Sequence, residues 1–175
     1  GFAGLSTHNG LSDAMVYNAD GTTADTGSSV YLVSVGDDNG VCGVYKGDGM
    51  PIELGEAVIT DMADGSGLHY PSYYVPACSW FGLQIGGSYS IVRIANLTAD
   101  SGKGLTDDVI SEALSLFPVG RAPNFMAMNR RSRKQLQLSR TATNVTGAPA
   151  PFPMEAFGVP IVTTDNIVST EALLT

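Results

Sequence analysis

Residues Trp80–Leu97 read WFGLQIGGSYSIVRIANL, the strongest β signal in the chain. Two runs, Trp80–Ile85 and Ser88–Leu97, are rich in aromatic and β-branched residues, and Gly86-Gly87 between them marks a tight turn or a bulge. Toward the N-terminus, Ser29–Val35 (SVYLVSV) alternates as a strand does. Asp37-Asp38-Asn39-Gly40 follows as a turn, and Val41–Tyr45 reads as the returning strand of a hairpin. Residues 46–76 are irregular, with strand-like pieces around Ala57–Thr60 and Tyr73–Val75. Residues 1–29 have loop composition, with Asn9-Gly10 and Asp20-Gly21 as turn signals.

Toward the C-terminus the period changes. Thr106 is placed to cap a helix whose first turn carries Asp107 and Asp108, where the helix dipole favours acids. Val109, Ile110, Ala113, Leu114 and Phe117 recur at helical spacing, and Pro118 with Gly120 closes that helix. Asn124–Met128 is a short apolar strand. Asn129 then caps a second helix running to about Arg140, with Leu136 as its clearest inward residue. Residues 141–156 form a Thr/Ala/Pro loop, and Phe157–Thr164 (FGVPIVTT) reads as a buried strand. Trp80, Ile94, Leu136 and Ile161 are the expected core residues. This order of elements predicts an α+β chain.

At 175 residues the chain fits one large domain or two small, closely packed ones. Only 15% of its residues are charged, against roughly 25% in a typical soluble domain. Such a surface is expected to be covered by neighbouring subunits, or to belong to a Gly-rich, β-rich extracellular domain. The net charge of −8 disfavours nucleic acid and anionic membrane as general partners. The charge is segregated. Residues 1–112 hold 14 of the 17 acids but only Lys46, Arg93 and Lys103 as bases, whereas Arg121, Arg130, Arg131, Arg133, Lys134 and Arg140 fall within twenty residues. Arg130, Arg133 and Lys134 are therefore candidates for a subunit contact, or form a solvated helix face. Cys42 and Cys78 make no disulfide framework and read as small buried hydrophobes. No apolar run approaches 18 residues and no signal peptide is evident, so no membrane partner is expected. The start at Gly1 suggests a processed or truncated chain.

Catalytic groups are sparse. His8 and His69 both fall in loop-like sequence, without a nucleophile elbow. The two Cys and two His are scattered, which argues against a metal site. The glycine-rich stretches lack phosphate-binding spacing. Asp37–Gly40 resembles part of a calcium loop but lacks the later glutamate. Asp61 and Asp64 form a carboxylate pair or a polar loop. Catalytic, cofactor-binding and metal-binding residues are accordingly expected to be absent.

Three segments, taken together, resemble a known family. Trp80–Leu97 resembles the region of podophage-type major capsid proteins in which a Trp–x–Gly–Leu strand precedes an Arg–x–x–Arg–Ile–Ala–Asn strand. Arg93-Ile94-Ala95-Asn96 is intact, while Tyr89-Ser90 replaces the first arginine. Asn124–Gln137 (NFMAMNRRSRKQLQ) is similar to a strand followed by a helix in the axial domain, and Phe157–Glu171 (FGVPIVTTDNIVSTE) to the returning strand. The Ser28–Gly47 hairpin fits more loosely.

The resemblance implies the C-terminal portion of a tailed-phage major capsid protein of Hong Kong-type fold. Residues 1–100 would be mostly peripheral-domain strands with an N-terminal loop. Residues 101–165 would be an axial domain with short helices around a small sheet, and residues 166–175 a C-terminal tail. The implied partners are other copies of the chain in pentamers and hexamers, scaffolding, cement and portal proteins, and double-stranded DNA packaged non-specifically. The implied location is a virion capsid assembled in a host cytoplasm. The family's spine helix has no counterpart here, so the strands at Ser29–Tyr45 and Trp80–Leu97 are expected to have an uncovered apolar face. A bacterial nanocompartment shell protein, a β-rich binding or adhesin module, and a hydrolase using Asp61 and Asp64 are the competing readings.

Overall fold

A computed structural model describes residues 14–175 except positions 48, 50, 51, 143 and 146. His8 and the Asn9-Gly10 turn lie outside the described residues. In chain order the first eight strands are β1 (Val16–Asn18), β2 (Ser28–Val33), β3 (Val41–Tyr45), β4 (Glu53–Leu54), β5 (Val58–Ala63), β6 (His69–Tyr74), β7 (Ala77–Cys78) and β8 (Phe81–Ile85). After these come β9 (Ile91–Leu97), α1 (Asp107–Ser115), β10 (Phe125–Met128), α2 (Arg130–Ala142), β11 (Glu155–Ala156) and β12 (Val159–Thr163). The fold is mixed α+β, with a strand-rich sheet and two helices.

One sheet has six strands in the order β1-β9-β2-β10-β12-β11. Its centre is antiparallel, with β2 between β9 and β10, while the outer pairs β1·β9 and β10·β12 are parallel. Every residue of β2 and β9 is buried. Strict alternation sends their side chains to opposite faces. Val30, Leu32, Val92, Ile94, Met126 and Met128 pack on one face against Ile110 and Ala113 of α1 and Leu136 of α2. Tyr31, Val33 and Ile91 lie on the other, with Ile167 of the C-terminal segment against them.

The two helices form where their caps place them. The Thr106 side chain accepts a hydrogen bond from the Val109 N–H, and Asn129 Oδ1 accepts one from Ser132 N–H at 2.8 Å. Each satisfies an amide that the first helical turn leaves without a partner. Ile94 and Leu136 are fully buried, as expected. Ile161 is only half-buried against the same core, because β12 has just the two-residue β11 outside it. The strand expected from Phe157 begins at Val159. Phe157 and Gly158 instead form the two-residue turn between β11 and β12, both at positive φ.

Several pairings differ from those expected. β2 does not return through Asp37–Gly40 to β3 as a hairpin; it pairs with β9 and β10, and β3 pairs with β8. The runs on either side of Gly86-Gly87 therefore belong to different sheets, and Ser88–Ser90 is turn rather than strand. Trp80, expected in the core, is 61% exposed. Strand propensity is shared by β8 and β9, but burial depends on tertiary partners, which only β9 has on both faces.

The chain divides into two compact units, residues 43–84 and the remainder. The partition near residue 100 is not where these units separate, because the six-stranded sheet takes strands from both sides of that position.

Within residues 43–84, β5 and β6 form an antiparallel hairpin from Val58↔Tyr74 to Ala63↔His69. The Asp64 carboxylate accepts from the Ser66 and Leu68 amides and closes its turn. β4 pairs with β7.

Asp100 fastens residues 22–23 to the end of β9. Its carboxylate accepts from the amides and hydroxyls of Thr22 and Thr23 and from the Thr98 hydroxyl. These bonds, that from the Thr23 hydroxyl foremost, hold its pKa well below the ordinary 3.8. A carboxylate with a lowered folded-state pKa stabilises the protein above its unfolded-state value, and that stability is lost as acid protonates it. Asp100→Asn should therefore lower the melting temperature at neutral pH, with the deficit shrinking as pH falls below about 4. A deficit unchanged down to pH 2 would show that the carboxylate's charge plays no part.

Candidate functional site

The most specific side-chain arrangement in the chain is a buried polar seam where β2, β9 and the start of α2 meet residues 165–174. Arg93 is 3% exposed in the middle of the apolar strand β9. Its Nε donates to Ser29 Oγ at 3.0 Å and its Nη2 to Glu171 Oε2 at 3.3 Å, with the Tyr31 ring centroid 5.7 Å from the guanidinium carbon. Ser29 Oγ donates to the same Glu171 oxygen at 2.6 Å. A buried guanidinium is tolerable only with such a counter-charge. The backbone holds Glu171 there by reciprocal amide–carbonyl bonds with Gly27. Gly27 is required, since a Cβ at that position would lie 2.6 Å from the Glu171 carbonyl oxygen.

The seam continues on both sides. Asn129 Nδ2 donates to Ser28 Oγ and Ser169 Oγ, and Arg131 donates to the carbonyls of Ser169, Thr26 and Leu97. Burial pulls the Arg131 pKa below its ordinary value, and Glu171 acts in the opposite direction. Asn96, at φ 58°, exchanges hydrogen bonds with the backbone of Leu174. The segment after Thr164 is thus bound to the sheet by side chains from three separate elements.

The basic helix is mostly committed within the chain. Arg130 pairs with Asp165 at 2.8 Å, both largely exposed. Arg140 makes a two-point contact with Asp107, whose hydrogen bonds raise its pKa. Arg133 donates to the Pro153 carbonyl at 2.8 Å and to Thr163 Oγ1, and lies over the Phe152 ring at 4.0 Å. Lys134 is exposed. Arg130, Arg133 and Lys134 share one helix face, but Arg133 is spent on holding the Pro-rich segment rather than offered as a bare charge.

A second feature is exposed apolar surface in residues 43–84. Ile59, Tyr73 and Trp80 are 64%, 79% and 61% exposed, and Val44, Tyr45, Tyr74 and Phe81 are about half-exposed. The expectation of an uncovered apolar face at Ser29–Tyr45 and Trp80–Leu97 thus holds for β3 and β8 and fails for β2 and β9. The latter are covered by the helices on one face and by the C-terminal segment on the other.

His69 Nδ1 lies 3.0 Å from Asp61, both exposed on the hairpin, and Asp64 is occupied with its turn. Cys42 is half-buried and Cys78 exposed, so neither is the buried residue expected. Among the described residues no three metal-ligating side chains cluster, and no helix is long and apolar enough to cross a membrane. Neither a family model nor a curated protein matches the chain.

The seam is what sequence reasoning missed. Its signal was present: an arginine between Val92 and Ile94 in a strand otherwise buried requires an acid, and only Glu155, Asp165 and Glu171 follow Glu112.

Proposed function

We propose that the chain is a self-assembling shell subunit, the C-terminal portion of a major capsid protein of the Hong Kong type, enclosing a phage genome without catalysing a reaction. The observation that carries this reading is the apolar surface of residues 43–84. A two-stranded hairpin is marginal by itself in water, and β5–β6 exposes Val58, Met62, Tyr70 and Tyr74 on one face and Ile59 and Tyr73 on the other. Exposed apolar area of this kind marks a contact surface. In a closed shell each modest contact is repeated by symmetry. On this reading other copies in pentamers and hexamers are the main partners. Scaffolding, cement and portal proteins would join them, with double-stranded DNA held non-specifically inside a virion.

Negative-stain electron microscopy of the purified protein tests the class. Closed shells are expected, and a chain that stays monomeric at every concentration would overturn it. Lys134→Glu should weaken assembly while leaving the melting temperature within about 1–2 °C, because an exposed charge contributes little to folding. A large drop in melting temperature would instead place Lys134 in the folded core.

A further inference from the structure

Residues 147–154 (GAPAPFPM) form a preorganised ridge. Pro149, Pro151 and Pro153 each fix φ near −65° and push the residue before them into extended backbone. These preferences favour a polyproline II path, which has three residues per turn. Within the segment Ala150 and Pro153, three residues apart, are inward, and Pro149, Pro151 and Phe152 are exposed. The ridge is fastened along α2. Gln137 Nε2 donates to the Ala150 carbonyl at 2.9 Å, the Ala150 amide donates to Thr141 Oγ1, and Arg133 holds the Pro153 carbonyl and the Phe152 ring. Pro149, Pro151 and Phe152 are left facing outward at little further cost in conformational entropy.

Residues 43–84 carry a cleft of complementary chemistry. Val44, Tyr45, Lys46, Trp80, Phe81 and Gly82 line a mainly apolar hollow of about 390 Å³. Gly43 lets the Phe81 ring edge approach β3 closely, since a Cβ there would be 3.0 Å from it. Aromatic-walled grooves are the common receptors for polyproline II segments, because the rings stack on proline faces and the ligand is already rigid. The charges match as well. Residues 43–84 contain five acids against Lys46 alone, and Lys46 is paired with Glu53. The ridge lies beside α2, where Arg130 and Arg140 are neutralised by Asp165 and Asp107 and Lys134 is left as an exposed positive charge.

We propose that the Pro149–Phe152 ridge of one copy seats in the Tyr45–Trp80–Phe81 cleft of a second copy. The inference rests on the self-assembly reading and assigns its contact. Because cleft and ridge are different surfaces, the contact is head-to-tail, the kind that closes into rings of identical subunits.

The test replaces Trp80 with photoreactive benzoylphenylalanine in unlabelled protein and mixes it with 15N-labelled wild-type protein before irradiation. Mass spectrometry is expected to find position 80 joined to a labelled peptide containing residues 147–154. Pro151→Asp in the labelled copy, or Pro149→Asp if that variant folds poorly, should reduce this product at least tenfold. A product unchanged by either variant overturns the proposal. Products between copies that fall only on other peptides overturn it too and leave self-assembly standing. No product, from a chain that sediments as a monomer, overturns both.

Discussion

Arg93→Met is expected to destabilise the folded chain by about 3–5 kcal/mol, the cost of removing one partner of a buried ion pair. Methionine fills much of the volume of the arginine stem, so the loss is electrostatic rather than a cavity. Glu171, only 19% exposed in its side chain, would keep the Ser29 hydroxyl but lose the guanidinium it is ion-paired with, leaving Arg131 to offset its charge. Arg93→Met combined with Glu171→Leu should recover most of the stability, since an apolar pair of similar size is often as stable as a buried ion pair. Urea unfolding of the three proteins measures both effects. A single-variant loss under 1 kcal/mol, or a double variant no better than the single, would show that the seam is not held by this pair.

Leu136→Ala should cost about 2–5 kcal/mol, because the residue is fully buried between α2 and the sheet and its truncation leaves a cavity. A drop of this size is a large fraction of the 5–15 kcal/mol that typical domains have in total, and the melting temperature should fall by about 10 °C. Ile161→Ala serves as the comparison. Half-buried on β12, it should lose less than half as much. Equal losses at the two positions would mean that β12 is as deeply packed as the sheet centre.

The parts of the fold that the sequence made legible are those fixed by local chemistry. Thr106 and Asn129 cap α1 and α2 within three residues of themselves, and the apolar spacing in each helix points to Ile110 and Leu136. The turn at Asp37–Gly40 was equally readable, yet the strands flanking it pair elsewhere, since strand partners sit 58 to 96 residues apart in β2·β9 and β2·β10. The same distance problem hid the exposure of Trp80: an aromatic residue beside a strand reads as core whether or not anything covers it. The candidate contacts were legible only in part. The charge segregation was visible, but the internal use of Arg131, Arg133 and Arg140 depends on carbonyls and carboxylates that no local pattern announces.

The seam also sets an order of events in time. β2 leaves the ribosome long before β9, and β9 long before residues 165–174, which supply Ile167 and Glu171 to both strands, Ser169 to Asn129 and the Leu174 backbone to Asn96. Until that last segment emerges, Arg93 is without the Glu171 carboxylate and Asn129 without Ser169, and Tyr31 and Val33 lack the cover of Ile167. Pairing over such sequence separation is intrinsically slow. A nascent chain in which residues 165–174 have not yet emerged is therefore left with an open sheet face, the kind of exposed apolar surface that chaperones bind. Closure of that sheet face therefore waits on the synthesis of residues 165–174.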